Sequence, residues 1–189
     1  MARIPPATRE SVPQDQRDAF DELIRMQTQG TIPSGGPLAI MLNVPEMMKR
    51  GEYLRAYLRG EPSSLSLKIR ELTMLLTARE LNCPYIWHVH AAQARRAGVR
   101  DDIVDNLRDK RELTHLAPDE AVVVTYGREL LRTHHVSQPT FDAALAQFGT
   151  RGLVELTNLI GYYTLLAFNI NAFGATPPEG TSEPPLSMA

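Results

Sequence analysis

Residues 83–90 read Cys-Pro-Tyr-Ile-Trp-His-Val-His and gather the only cysteine, the only tryptophan and two of the five histidines of a 189-residue chain. Pro84 suits a first helical position and Asn82 a capping one, so the sequence predicts a helix starting here. Its periodic run ends at Gly98-Val99. On that helix Cys83, Trp87 and His90 fall close to one face, because residues three, four and seven apart stack along one side. A thiol at a helix N-terminus lies where the macrodipole favours thiolate. A histidine two turns later can exchange a proton near neutral pH. The pattern is one of chemistry.

Upstream, Leu65, Ile69, Leu72, Leu75 and Leu76 recur at helical spacing behind a cap at Ser63 or Ser64. Glu71 lies inside this apolar run, where a carboxylate costs several kcal/mol unless it is paired. A turn near Asn82 would fold the two helices antiparallel, with Glu71 eleven residues before it and His90 eight after it. At about 1.5 Å per residue the two then differ by one turn or less in level. Glu71 is therefore the natural orienting group for His90.

The remaining pattern is helices joined by short breaks. Residues 1–13, with Pro5, Pro6 and Pro13, read as an extended arm. A helix follows over residues 14–29, with Phe20, Leu23, Ile24 and Met26 inward. Residues 30–37, rich in glycine and proline, read as a loop of the kind that often borders a site. Pro45 opens a helix with Met48, Tyr53, Leu54 and Leu58, closed by Gly60. Asp101 can cap a short helix carrying Ile103, Val104 and Leu107, and a longer one covers residues 118–134. Another begins at Ser137 or Gln138-Pro139. The last, after Gly149-Thr150, is apolar nearly all round, from Leu153 to Phe168, which predicts burial on every side and a subunit interface. Residues 176–189 read as a Pro-rich extended tail. No strand candidate survives, so the fold class is all-α, a helical bundle, with residues 14–175 as a single domain.

Composition excludes several functions. Hydrophobic residues make up 43% and charged residues 22%, and the net charge is -2, which gives no reason to expect nucleic acid or a membrane surface as partner. No apolar leader is visible in Met-Ala-Arg-Ile-Pro-Pro, and no apolar run approaches the roughly 20 residues expected of a membrane helix. A cytoplasmic protein is the expectation. His88 and His90 diverge on their helix, as do His134 and His135, so no metal is expected, and no phosphate loop or serine-hydrolase motif occurs. No cofactor is expected.

Glu71, Cys83 and His90 are spaced Glu-x11-Cys-x6-His. With Tyr85, Trp87, Ala91, Ala92, Ala94, Gly98 and Val99 this resembles the carboxymuconolactone decarboxylase family, which includes the alkyl hydroperoxidase D-like peroxidases. The resemblance implies helical subunits assembled as trimers, hexamers or related rings. It also implies Glu71, Cys83 and His90 as catalytic residues, with Tyr85, Ile86, Trp87 and His88 against a small-molecule substrate. In the peroxidase branch a second cysteine stands three positions after the first, where this chain has Ile86; many other members carry a glutamate there. One cysteine cannot close an intramolecular disulfide, so the dithiol mechanism is not expected. The expectation is a cofactor-free lyase using acid–base chemistry on a small carboxylated lactone or related carbonyl compound. The alternatives are a single-cysteine peroxidase and a non-catalytic oligomeric ligand-binding protein.

Overall fold

The computed structural model describes residues 2–28, 36–177 and 183–187. After a short 3-10 turn at Gln14–Gln16 come eight described helices: α1 (Arg17–Thr28), α2 (Gly36–Met41), α3 (Pro45–Arg59), α4 (Leu67–Glu80), α5 (Pro84–Arg96), α6 (Asp101–Arg108), α7 (Pro118–Thr133) and α8 (Gln138–Phe173). Among the described residues there is no strand.

The centre of the molecule is α4. Ser66, rather than Ser63 or Ser64, caps it by accepting the Ile69 N–H at 3.3 Å. Ile69, Leu72, Met74, Leu75 and Leu76 are all essentially inaccessible, because α4 is packed by α5, α7 and α8 at once. Thr73 and Thr77 also point inward, each returning its hydroxyl to the carbonyl four residues earlier.

Three residues, Leu81, Asn82 and Cys83, join α4 to α5. Asn82 does not cap α5: it adopts φ 47 in the left-handed region, and Cys83 is the capping residue, its N–H donating to Ala78 O at 2.8 Å. Asparagine tolerates that conformation better than most side chains do. The Asn171 side chain of α8 donates to Leu81 O at 3.0 Å, tying the turn to the last helix.

Gly149 (φ 65, ψ 175) breaks α8 where a helix boundary was expected, and two helices run on across the kink. The second half is not buried on every side. Leu156, Leu159, Ile160 and Ala167 face the core, while Val154, Leu165 and Phe168 are exposed. By length and composition α8 is also apolar enough to cross a bilayer, unlike any run read from the sequence; half of its apolar window is packed inside the fold.

Three further expectations are corrected. Gly36 and Pro37, assigned to a loop, begin α2, while residues 29–35 of that loop lie outside the described residues. Tyr53 and Leu54 face outward, because α3 turns Met48, Glu52, Arg55 and Arg59 toward a cavity instead, and Met26 of α1 is exposed as well. The two terminal segments pack on the bundle. Ala7 and Val12 are buried and the Arg3 N–H donates to Phe173 O at 2.7 Å. Near the other end Leu186 is buried in the main core and Glu183 pairs with Arg95 at 3.2 Å.

Candidate active site

The hairpin of α4 and α5 brings Glu71 and His90 together as their spacing predicted. His90 Nδ1 lies 2.8 Å from Glu71 Oε2, and both side chains are about 95% buried. An ionised carboxylate only accepts, so Nδ1 carries the proton and Nε2 is left as the working nitrogen. That nitrogen meets Tyr163, which the sequence marks only as part of the apolar last helix. The Tyr163 hydroxyl of α8 lies 3.2 Å from His90 Nε2, and its ring stands edge-on to the imidazole at 5.3 Å and 78°. Burial raises the Tyr163 phenol far above its ordinary range, so near neutral pH it is a protonated donor. The available signal was a hydroxyl on a buried helix face, which needs a partner.

This Glu71–His90–Tyr163 chain opens on a cavity of about 250 Å3. Helix α5 contributes Tyr85, Ile86, Val89 and His90; α8 contributes Tyr162, Tyr163, Leu166 and Ile170. The opposite wall is Pro37, Leu38 and Met41 of α2 with Met48, Glu52, Arg55 and Arg59 of α3. Gly36 approaches so closely that a Cβ there would collide with the Tyr85 hydroxyl. The glycine- and proline-rich stretch thus borders the cavity at its described end, and the methionine-rich stretch from Met41 to Met48 furnishes two lining residues.

Three sequence candidates stand elsewhere. Cys83 is fully buried among core residues and Trp87 is 1% exposed; neither lines the cavity. His88 is half-buried and also off the lining. The reason is helical phase. Cys83, Trp87, Ala91 and Ala94 form the core-facing stripe of α5, whereas Tyr85, Ile86, Val89 and His90 form the adjacent stripe over the cavity. Burial also pushes the Cys83 thiol up, outweighing hydrogen bonds from the Ile86 and Tyr85 backbones, so the thiolate suggested by its place at the helix N-terminus is disfavoured. Among the described residues no three His, Cys, Asp or Glu side chains converge as a metal site.

An all-helical domain whose central hairpin delivers a buried carboxylate–histidine pair to the wall of a partly open cavity is the class that fold and site define. The model of the carboxymuconolactone decarboxylase family matches residues 45–129, a span that includes Glu71, Cys83 and His90. Solved structures share the fold. An uncharacterised peroxidase-related protein with an alkylhydroperoxidase AhpD core from Ralstonia eutropha JMP134 superimposes with TM-score 0.71 at 16% identity, covering 94% of this chain and 93% of its own. One from Silicibacter sp. TM1040, also called peroxidase-related, gives 0.68 at 15%, covering 93% and 92%. A protein of unknown function from Agrobacterium tumefaciens, assigned to antioxidant defence of the AhpD kind, gives 0.66 at 18%, covering 74% and 96%. No curated protein matches the chain.

Proposed function

We propose that this protein is a cofactor-free enzyme acting by general acid–base chemistry, a carboxy-lyase for a small carboxylated lactone or related carbonyl compound. The observation that carries the reading is the buried Glu71–His90–Tyr163 chain at the wall of a cavity large enough for such a substrate. In the proposed step the C–C bond to a carboxylate breaks, carbon dioxide leaves, and the electron pair enters the neighbouring carbonyl or lactone system. His90, with its proton on Nε2 when charged, returns a proton to that carbon or oxygen, and Glu71 stabilises the imidazolium before it donates. Tyr163 holds the imidazole from the other side and donates to a developing oxyanion. Ile86 and Val89, beside His90 on the same helix, keep water from the reacting atoms.

The peroxidase-related descriptions of the structural neighbours favour a second reading, hydroperoxide reduction. Three features of this chain oppose it: Ile86 replaces the attacking cysteine, Cys83 is buried, and its thiol is raised. One experiment separates the two. Wild type, His90→Gln and Cys83→Ala are incubated with a panel of carboxylated lactones and β-keto acids, and with cumene hydroperoxide plus a dithiol, and products are followed by mass spectrometry. Carbon dioxide loss that falls about 10²–10⁴-fold in His90→Gln, and not in Cys83→Ala, is expected. Hydroperoxide loss that vanishes in Cys83→Ala, with no decarboxylation, would replace this reading by the peroxidase one.

A further inference from the structure

The cavity is polarised along its length. On α3 the lining residues Met48, Glu52, Arg55 and Arg59 share one face, and Met48 and Arg59 are separated by eleven residues, about 16 Å. At the Met48 end the wall is apolar: Leu166 of α8 packs onto the cluster that contains Met41 and Met48. At the other end stand two arginines with unequal commitments. Arg55 is held by Glu52 at 2.6 Å. Arg59 has no ion pair or hydrogen bond among the described residues, and its charge acts on the phenols of Tyr162 and Tyr163. Both phenols stay protonated near neutral pH, Tyr162 being pushed up to about 12 by burial. An unspent guanidinium beside the Tyr162 phenol, at the end of the cavity opposite Met48 and Leu166, makes a seat for an anion with an apolar body.

We infer that the cavity binds a monocarboxylate carrying an apolar chain or ring, its carboxylate on Arg59 and its apolar part extended toward Met48 and Leu166. This rests on the acid–base reading for the reaction, because the seat places the atoms next to the carboxylate beside His90 and Tyr163. It narrows the substrate class: a compact ligand with several charges leaves the Met48 end unfilled and brings more negative charge than one free arginine offsets. Arg59 is a binding residue here, and Leu166 sets the length of the apolar part.

The test is binding, which needs no turnover. Isothermal titration is run with butanoate, hexanoate and octanoate, with octanamide as the neutral isostere and succinate as the compact dianion. Wild type should bind more tightly with each added pair of methylenes, and octanoate at least about tenfold more tightly than octanamide, the worth of a charge-assisted hydrogen bond. Arg59→Gln should erase the preference for acid over amide while keeping the dependence on chain length. Leu166→Asn should flatten the chain-length dependence while keeping the preference for the acid. His90→Gln should still bind octanoate. Equal affinity for octanoate and octanamide, an unchanged preference in Arg59→Gln, or tighter binding of succinate than of octanoate would each overturn the inference. Arg59-dependent binding of octanoate without any His90-dependent turnover would sink the reaction and leave the anion seat standing. His90-dependent turnover with no effect of Arg59→Gln on binding would do the reverse.

Discussion

Cys83 and Glu155 show how the surroundings of one side chain decide what it does. Cys83 sits at a helix N-terminus, where the backbone N–H groups favour thiolate, yet it is completely enclosed and its thiol is raised by burial. Desolvation outweighs the dipole. Native protein should therefore react with an aromatic disulfide reagent orders of magnitude more slowly than protein unfolded in guanidinium, and fast single-phase labelling of the native state would contradict this. Glu155 is the opposite case. It is buried, which alone would raise its carboxyl. Instead the Ser64 N–H and hydroxyl at 2.7 Å, the Tyr57 hydroxyl at 2.8 Å and Arg151 Nε at 2.9 Å hold it down at about 2. A carboxylate depressed in the folded state contributes stability that is present above its ordinary value near 4.5 and is lost as pH falls toward 2. Wild type should lose melting temperature across that acid window. Glu155→Gln should be about 1–3 kcal/mol less stable at pH 7, since buried donors lose their acceptor, and should lose less on acidification. Identical pH profiles for the two proteins would refute the assignment.

At the level of elements, what could be read in advance was what is local. The α4–α5 hairpin was legible because Asn82-Cys83-Pro84 punctuates two periodic runs and the Glu71 to His90 spacing closes across it. Tyr163 and Arg59 were not, since they reach the site from α8 and α3, and no local spacing registers a contact across that much chain. Trp87 and His88, expected against the substrate, lie off the cavity lining for the same reason: helical phase can be read, but not which stripe faces a cavity. The tail was misjudged for a related reason. Its composition reads as extended, yet Leu186 is 4% exposed within the main core, and the Arg79 guanidinium of α4 donates to Ser187 O at 2.6 Å and Arg108 O at 2.9 Å. Burial lowers Arg79, and these carbonyls are what replace its water. Leu186→Ala should then cost about 2 kcal/mol or more in urea unfolding, as buried leucines do elsewhere. A surface-like cost below about 0.5 kcal/mol would mean that this segment does not dock.

For the whole molecule, the outstanding feature is apolar surface that the single chain leaves uncovered. Along the second half of α8, Val154, Asn158, Gly161, Leu165 and Phe168 follow one another at alternating steps of four and three, the spacing of a helix–helix seam. Val154 is 55%, Leu165 46% and Phe168 60% exposed, and a Cβ built on Gly161 meets nothing within 4 Å. A row of this kind is energetically costly in water and is the usual mark of an association surface. We propose that a second copy of the chain covers it, which accords with the assembly that the family resemblance implied. Light scattering after gel filtration should give a mass that is a multiple of 21.1 kDa. Because Leu165 and Phe168 lie outside the core, Leu165→Glu with Phe168→Glu should shift that mass to the monomer while leaving the helical circular dichroism intact. A charged pair on a solvent-facing surface would change neither quantity, so an unchanged oligomer in the double variant would move the interface elsewhere on the fold. A wild type that is already monomeric at tens of micromolar would remove the proposal altogether.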